Sequence, residues 1–376
     1  EREARLGDAV RLVRDVVYPA YRGLAETVDG LIEQTDNDAG IWRLEQGEDF
    51  YPHALDSYGG GGRSAAEIHQ IGLDEVARIE AEMDVVLQAL GLTKGTVGAR
   101  FASIAEDPAM VYPNTDAGRE ELMQALRDQV DAIMALAPDW FGTLPPQPLE
   151  VRRIPDYEQD SAPGGYYTDP SLDGSRPGIY WINLKNTADW PKQTLKTLTY
   201  HEAVPGHHFQ VALQMDISDF PLIRNTFYHS EYAEGWALYA EQVAAEMGMY
   251  ENDPYGDLGR LQSELFRAVR LVVDTGMHAK RWSREQAIDY MVDHLGDTRE
   301  SVTREVERYA VWPGQATSYK LGMLKFVELR ERAEEALGED FDIRQFHDAV
   351  LLGGDMPLPV LERHVDAWIA AQRQAG

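Results

Sequence analysis

The chain of 376 residues contains no cysteine and carries 64 acidic against 35 basic side chains, a net charge of −29. Without thiols there is no disulfide framework, no thiolate metal site and no cysteine nucleophile, and a surface of this sign repels nucleic acid and anionic lipid. No apolar run approaches the roughly 20 residues of a membrane-spanning helix. The charge reads first as a solubility device and second as an acidic bowl for cationic substrates. The length suits two to three domains of about 150 residues, or one large helical body. The sequence opens at Glu1-Arg2-Glu3 without a methionine, so a preceding segment is expected, and the compartment, cytoplasmic or exported, is left open with it.

Apolar residues recur at helical spacing through most of the chain. Residues 4–34 (Leu6, Val10, Val13, Val17, Leu24, Leu31) read as helix, interrupted near Pro19. A loop rich in Gly, Asp and aromatic residues follows and ends in Gly59-Gly60-Gly61-Gly62, flexible unless pinned. Ser64-Ala65-Ala66-Glu67 is a capping box, predicting a helix to about Leu90. Another helix is expected over 116–137, after which Pro145, Pro146 and Pro148 break the pattern. Residues 150–186 hold the β element: strands at 149–154 and 178–184, with a Gly/Pro-rich loop containing Tyr166 and Tyr167 between them. The second strand is a candidate edge for an extended peptide, or one arm of an ordinary hairpin. Helices are then expected at about 191–215, 221–247, 255–279, 283–295, 298–309, 313–337, 342–352 and 357–373. The fold class is therefore mainly α with a small β element near 150–184, divided into an N-terminal helical part (1–140) and a part (141–376) that carries the chemistry.

Three of the ten histidines lie within His201-Glu202-Ala203-Val204-Pro205-Gly206-His207-His208. A zinc hydrolase needs two imidazoles on one face, a carboxylate beside them as general base, and a third ligand from elsewhere. In the usual arrangement the histidines sit four apart, whereas here the next ones come six and seven on. In an unbroken helix His207 would lie about 240° around the axis from His201 and about 9 Å along it. Pro205 cannot donate a helical hydrogen bond and Gly206 relaxes the backbone, so a bulged or broken turn is expected to bring the second histidine back. The bland alternative is a helix end with surface histidines.

The third ligand is expected in Glu231-Tyr232-Ala233-Glu234-Gly235-Trp236-Ala237-Leu238-Tyr239-Ala240-Glu241. Its large apolar residues mark a buried helix, and Glu231, Glu234 and Glu241 are spaced to share one face. Acidic groups on a buried helix are costly unless a cation neutralises them; the alternative is a solvated acidic stripe.

His201 to Gln210, Glu234 to Glu241, Asp274-Thr275-Gly276-Met277-His278 and Pro313-Gly314-Gln315-Ala316, in that order, resemble the bacterial family called domain of unknown function 885. The likeness runs from about residue 65 to the C-terminus; family members are usually longer at the N-terminus, and Gly59–Gly62 is not one of the family's features. That family is in turn similar to the helical glutamate-ligand zinc peptidases, the group of thimet oligopeptidase, neurolysin and angiotensin-converting enzyme. They share His-Glu, a short spacer, then Gly-His. Dipeptidyl peptidase three has one extra residue in the spacer and this sequence two. The resemblance implies a metallopeptidase-like helical body with a deep cleft, Zn2+ held by His201, His207 and Glu234, and Glu202 as general base. The Gly-His pairing selects His207 over His208.

Arg267, Arg270, Asp274 and His278 are spaced to share one helix face. They read either as a buried ion network or as groups around the site, with Asp274 or His278 orienting a ligand and Arg270 receiving a substrate carboxylate. His208, Glu241 and Gln315 are further candidates for that surrounding layer. Tyr309 and Tyr319 are candidates to steady an oxyanion. The expected activity is cleavage of a peptide or peptide-like amide. The alternatives are hydrolysis of a small-metabolite amide or ester at the same zinc, and a non-catalytic binding protein.

Overall fold

The computed structural model describes residues 2–35, 37–217 and 220–375. It divides into two compact units, Glu1–Asp38 and Ala39–Gly376. In the first, α1 (Arg2–Leu12) and α2 (Tyr18–Leu31) are joined by one widened turn, Val13–Val17. The widened turn lies immediately ahead of Pro19, whose ring would crowd the carbonyl one turn back. The expected interruption is thus a local widening rather than a gap.

The second unit begins with α3 (Gly47–Ser57), α4 (Ala65–Ala89), α5 (Val97–Ile104) and α6 (Asp116–Leu136). Helix α4 starts at the expected capping box: the Ser64 side chain accepts from the Glu67 N–H while the Glu67 carboxylate accepts from the Ser64 N–H. Helices α3 and α5 were not expected. Each is short, and α3 contains Pro52; it is held by burying Tyr51, Ala54 and Leu55 against Ile68, Leu271 and Leu321, a tertiary gain that local propensity does not register.

Three strands follow: β1 (Leu149–Arg153), β2 (Gly165–Thr168) and β3 (Gly178–Ile182). Their order is β1-β3-β2, with β1 parallel and β2 antiparallel to β3. The segment expected to be a Gly/Pro-rich loop supplies β2, in which Tyr166 stands opposite Trp181. This also corrects the edge assignment. β3 is central and paired on both sides, so it has no free hydrogen-bonding edge, and β2 is an edge instead.

The chain continues through α7 (Lys192–Glu202), α8 (His207–Asp216), α9 (Ser230–Glu246), α10 (Pro254–Ala279), α11 (Arg284–Leu295), α12 (Arg299–Val311), α13 (Ser318–Leu337), α14 (Ile343–Leu351) and α15 (Leu358–Ala375). The helix expected from 221 is a short 3-10 helix at Leu222–Thr226 and, after a break, α9 from Ser230. Helix α10 is the axis. On α4, a Cβ at Gly72 would lie 2.8 Å from side-chain atoms of Leu271 and Val272, so the two helices approach closely there. The expected boundary at 140/141 therefore lies inside the compact unit, because α4 packs on α10 and α6 on α7.

Helices α9 and α13 pack closely on each other. At Gly235 of α9 and Gly322 of α13 the backbones touch: a Cβ on Gly322 would fall 1.9 Å from the Glu231 carbonyl oxygen. The fully buried Lys320 ties α13 to its neighbours, its Nζ lying 2.6 Å from Glu264 and 2.8 Å from Glu75. Buried on α9, Trp236 packs on Phe141, Tyr239 and Phe326. Each such side chain contributes on the order of 1.5–3 kcal/mol, enough to hold α9 in one register.

Candidate metal centre

Helix α7 makes its last turn with the Ala203 N–H on the Thr199 carbonyl, 2.9 Å. The chain then turns through a cis Val204–Pro205 peptide, and α8 starts at His207. Gly206 lies directly on the end of α7. A Cβ there would stand 1.9 Å from the His201 carbonyl oxygen and 2.5 Å from that of Tyr200, so no other residue fits without moving the backbone. The expected break is present, as a full stop between two helices. It brings the rings of His201 and His207 to 4.9 Å between centroids, at 89°.

Helix α9 is fastened to this break, because the Trp236 indole N–H donates to the Pro205 carbonyl at 2.9 Å. Two residues earlier, Glu234 Oε2 lies 3.4 Å from Nε2 of His201 and 3.4 Å from Nε2 of His207. One ligand atom from each of the three lies within 4.8 Å of the others. Two imidazoles and a carboxylate, half-buried to buried and converging from three helices, α7, α8 and α9, could together hold a divalent metal ion.

Glu241, two turns further along α9, accepts from His201 Nδ1 at 2.8 Å. That bond leaves Nε2 facing Glu234. Burial disfavours a charge on His201, yet the hydrogen bonds to Glu234 and Glu241 outweigh it and raise its pKa to about 9. Against its own burial, Glu234 is held well below the usual carboxylate range by His207 and His201. Carboxylates behind metal-bound histidines set ring orientation and basicity. Glu241→Ala is therefore expected to weaken zinc binding by about 10–100-fold while far-UV circular dichroism stays that of the wild type. Competition against a chromogenic chelator measures it.

The three residues lie on the wall of a cavity of about 420 Å³, together with Glu202, Arg267, Arg270 and Tyr319. Tyr167 of β2 and Asp169 close one side. Tyr228, which sequence reasoning missed, also lines the cavity, and its hydroxyl donates to Glu234 Oε1 at 3.1 Å. It precedes α9 in irregular chain, where no periodicity relates it to Glu234. Arg270 is clamped: Nε donates to the Tyr309 hydroxyl at 2.9 Å, Nη2 to Glu305 at 3.0 Å, and the guanidinium lies 4.6 Å from the Tyr319 ring centroid. Arg267 donates from Nη1 to Ser263, and its Nε has no partner among the described residues.

Several expectations need correction. His208 is outside the three-residue cluster: its Nδ1 meets the hydroxyl of Tyr167, which lines the cavity, at 2.9 Å, and burial pushes its pKa down to about 4. Gly178 makes room for that pair, since a Cβ there would lie 2.4 Å from the Tyr167 oxygen. Asp274 and His278 orient no ligand of the cluster. Asp274 accepts from Tyr51 at 2.6 Å and from the Gly314 N–H at 3.1 Å; His278 joins the Ile41 N–H to the Tyr309 carbonyl. Both tie α3, α12 and neighbouring irregular chain to α10 through hydrogen bonds. Tyr309 is fully buried with its hydroxyl taken up by Arg270 and Glu305, so of the two tyrosines only Tyr319 faces the cavity. Gln315 bridges Arg308 and Ser230 outside the cavity. Glu231 does not share the face of Glu234 and Glu241. It lines a different cavity, because three residues along a helix leave about a 60° offset.

Solved structures similar to the chain include a candidate lipoprotein from Colwellia psychrerythraea, at 50% identity and TM-score 0.96, covering 98% of this chain and 63% of that one. A candidate lipoprotein of unknown function from Shewanella oneidensis shares the fold at 20% identity and TM-score 0.76, with 96% of this chain and 65% of that one covered. The chain thus spans less than two thirds of the length of either. No curated protein matches it. The profile described as "Bacterial protein of unknown function (DUF885)" matches residues 1–365, including the N-terminal region that the motifs leave out. On that match, the chain belongs to the bacterial DUF885 family.

Proposed function

We propose that the chain is a zinc-dependent hydrolase that cleaves peptides. What supports this most is the meeting of His201, His207 and Glu234 on the wall of a cavity that Glu202 also lines. Zinc bound by those three residues would supply Lewis acidity toward a carbonyl oxygen and toward water. Glu202 follows His201 directly and is no part of the three-ligand cluster, so its carboxylate is free to take the proton of the attacking water and pass it to the leaving nitrogen. Tyr319 offers its hydroxyl to the oxyanion, and Arg267 and Arg270 offer positive charge to a substrate carboxylate. The edge of β2 beside the cavity suits an extended peptide backbone.

Elemental analysis of the purified protein is expected to give about one zinc per chain, the stoichiometry of a single three-ligand site. A peptide panel run against small N-acyl amides and esters is expected to show turnover of peptides, lost on chelation and restored by zinc. Zinc-free protein that takes up none on dialysis removes the proposal. Zinc-dependent turnover confined to the small amides or esters keeps the metal and changes the substrate.

A further inference from the structure

A second cavity, of about 560 Å³, lies between the glycine-rich turn at 59–62, α13 and the start of α15. Its walls are largely apolar, with Ile71, Leu321, Leu324 and Leu358 among them. Four carboxylates line it, Asp56, Glu231, Glu328 and Glu362, against two cations, Arg63 and Lys325. Most of these charges are already engaged. Lys325 Nζ lies 2.6 Å from Glu328 and 3.6 Å from Glu362. Asp56 accepts from the Gly62 N–H at 2.8 Å, and Arg63 donates to the Gly60 carbonyl at 3.2 Å.

Glu231 is the exception. It is only 4% exposed, and its Oε2 has no hydrogen-bond partner among the described residues. The glycine turn is laid directly on it: Gly59 has φ +90°, and a Cβ there would lie 2.9 Å from the Glu231 Cβ. A buried carboxylate with an unmet acceptor is costly, and burial raises its pKa. Glu231 lines the cavity wall, so a cation held in the cavity would stand beside it. A divalent metal does not fit, because these carboxylates do not converge as the residues of the catalytic cluster do. A single ammonium group needs only one carboxylate, and the apolar walls suit an aliphatic body attached to it.

We propose that this cavity is a binding site for a small organic amine, with its ammonium group on Glu231 and its apolar body against Ile71, Leu321, Leu324 and Leu358. The site is separate from the metal centre, although Glu231 and Glu234 stand three residues apart on α9.

Isothermal titration with n-hexylamine, and with n-hexanol as its uncharged counterpart, tests it at pH 7 with and without added zinc. The wild type is expected to bind hexylamine at one site and hexanol at least about tenfold more weakly, the weight of a charge-assisted hydrogen bond. Glu231→Gln should lose about the same factor for hexylamine, and Leu324→Trp, which fills the cavity, should abolish binding. Zinc content should equal that of the wild type in both. Equal binding of amine and alcohol by the wild type, no binding of hexylamine, or undiminished binding by either folded variant overturns the proposal. The wild-type comparison decides even if a variant fails to fold. None of these results bears on zinc stoichiometry or peptide cleavage, so the two readings fail separately.

Discussion

Glu202→Gln is expected to keep about one zinc per chain and to lower peptide turnover by roughly 10²–10⁴-fold, the weight of a positioned general base. Holding the metal and moving the proton fall to different side chains. His201, His207 and Glu234 form the cluster with ligand atoms within 4.8 Å, and Glu202 is not part of it. Replacing its carboxylate by an amide of the same shape removes the proton acceptor and leaves the cavity wall filled. The readouts are zinc by elemental analysis and initial rates on the best peptide of the panel, with KM followed separately. A fall in kcat at unchanged zinc supports the base, since the lost interaction belongs to the transition state. Wild-type turnover removes Glu202 from the mechanism, and loss of zinc in the variant makes it a metal ligand instead.

His207→Ala and His208→Ala are expected to part company. The first should weaken zinc binding by on the order of 10²–10³-fold, one ligand's share of the roughly 10–16 kcal/mol that a complete zinc site supplies. The second should leave about one zinc per chain. Adjacent histidines at the start of a helix point about 100° apart. Here His207 Nε2 lies 3.4 Å from Glu234 Oε2, while His208 reaches back to Tyr167 on the sheet. A chelator titration of both variants, with circular dichroism to confirm the fold, reads the difference. If His208→Ala loses the metal and His207→Ala keeps it, the ligand assignment reverses.

Much of this protein was legible in the order of its residues. The helical period of the C-terminal half, the capping box at Ser64 and the β-rich segment near 150–184 are local properties, and each carries its signal within a few residues. The break at Pro205-Gly206 was legible as well, since a residue with no N–H followed by one with no Cβ stops a helix wherever the chain lies. That Glu234 and Glu241 share a helix face, one at the cluster and one behind His201, follows from their spacing.

What no local pattern contains is which residues face each other across elements. Tyr228 reaches Glu234 from irregular chain, α3 exists because it covers Leu271, and β2 makes β3 a central strand. Asp274, His278 and Tyr309 have residue types that suit a site, but the packing of α3, α10 and α12 uses up their polar atoms on Tyr51, Ile41, Arg270 and Glu305. Side-chain type and spacing along one helix determine which groups can share a face. Only the tertiary structure decides what that face meets, because burial and hydrogen-bond partners come from segments as much as 237 residues away.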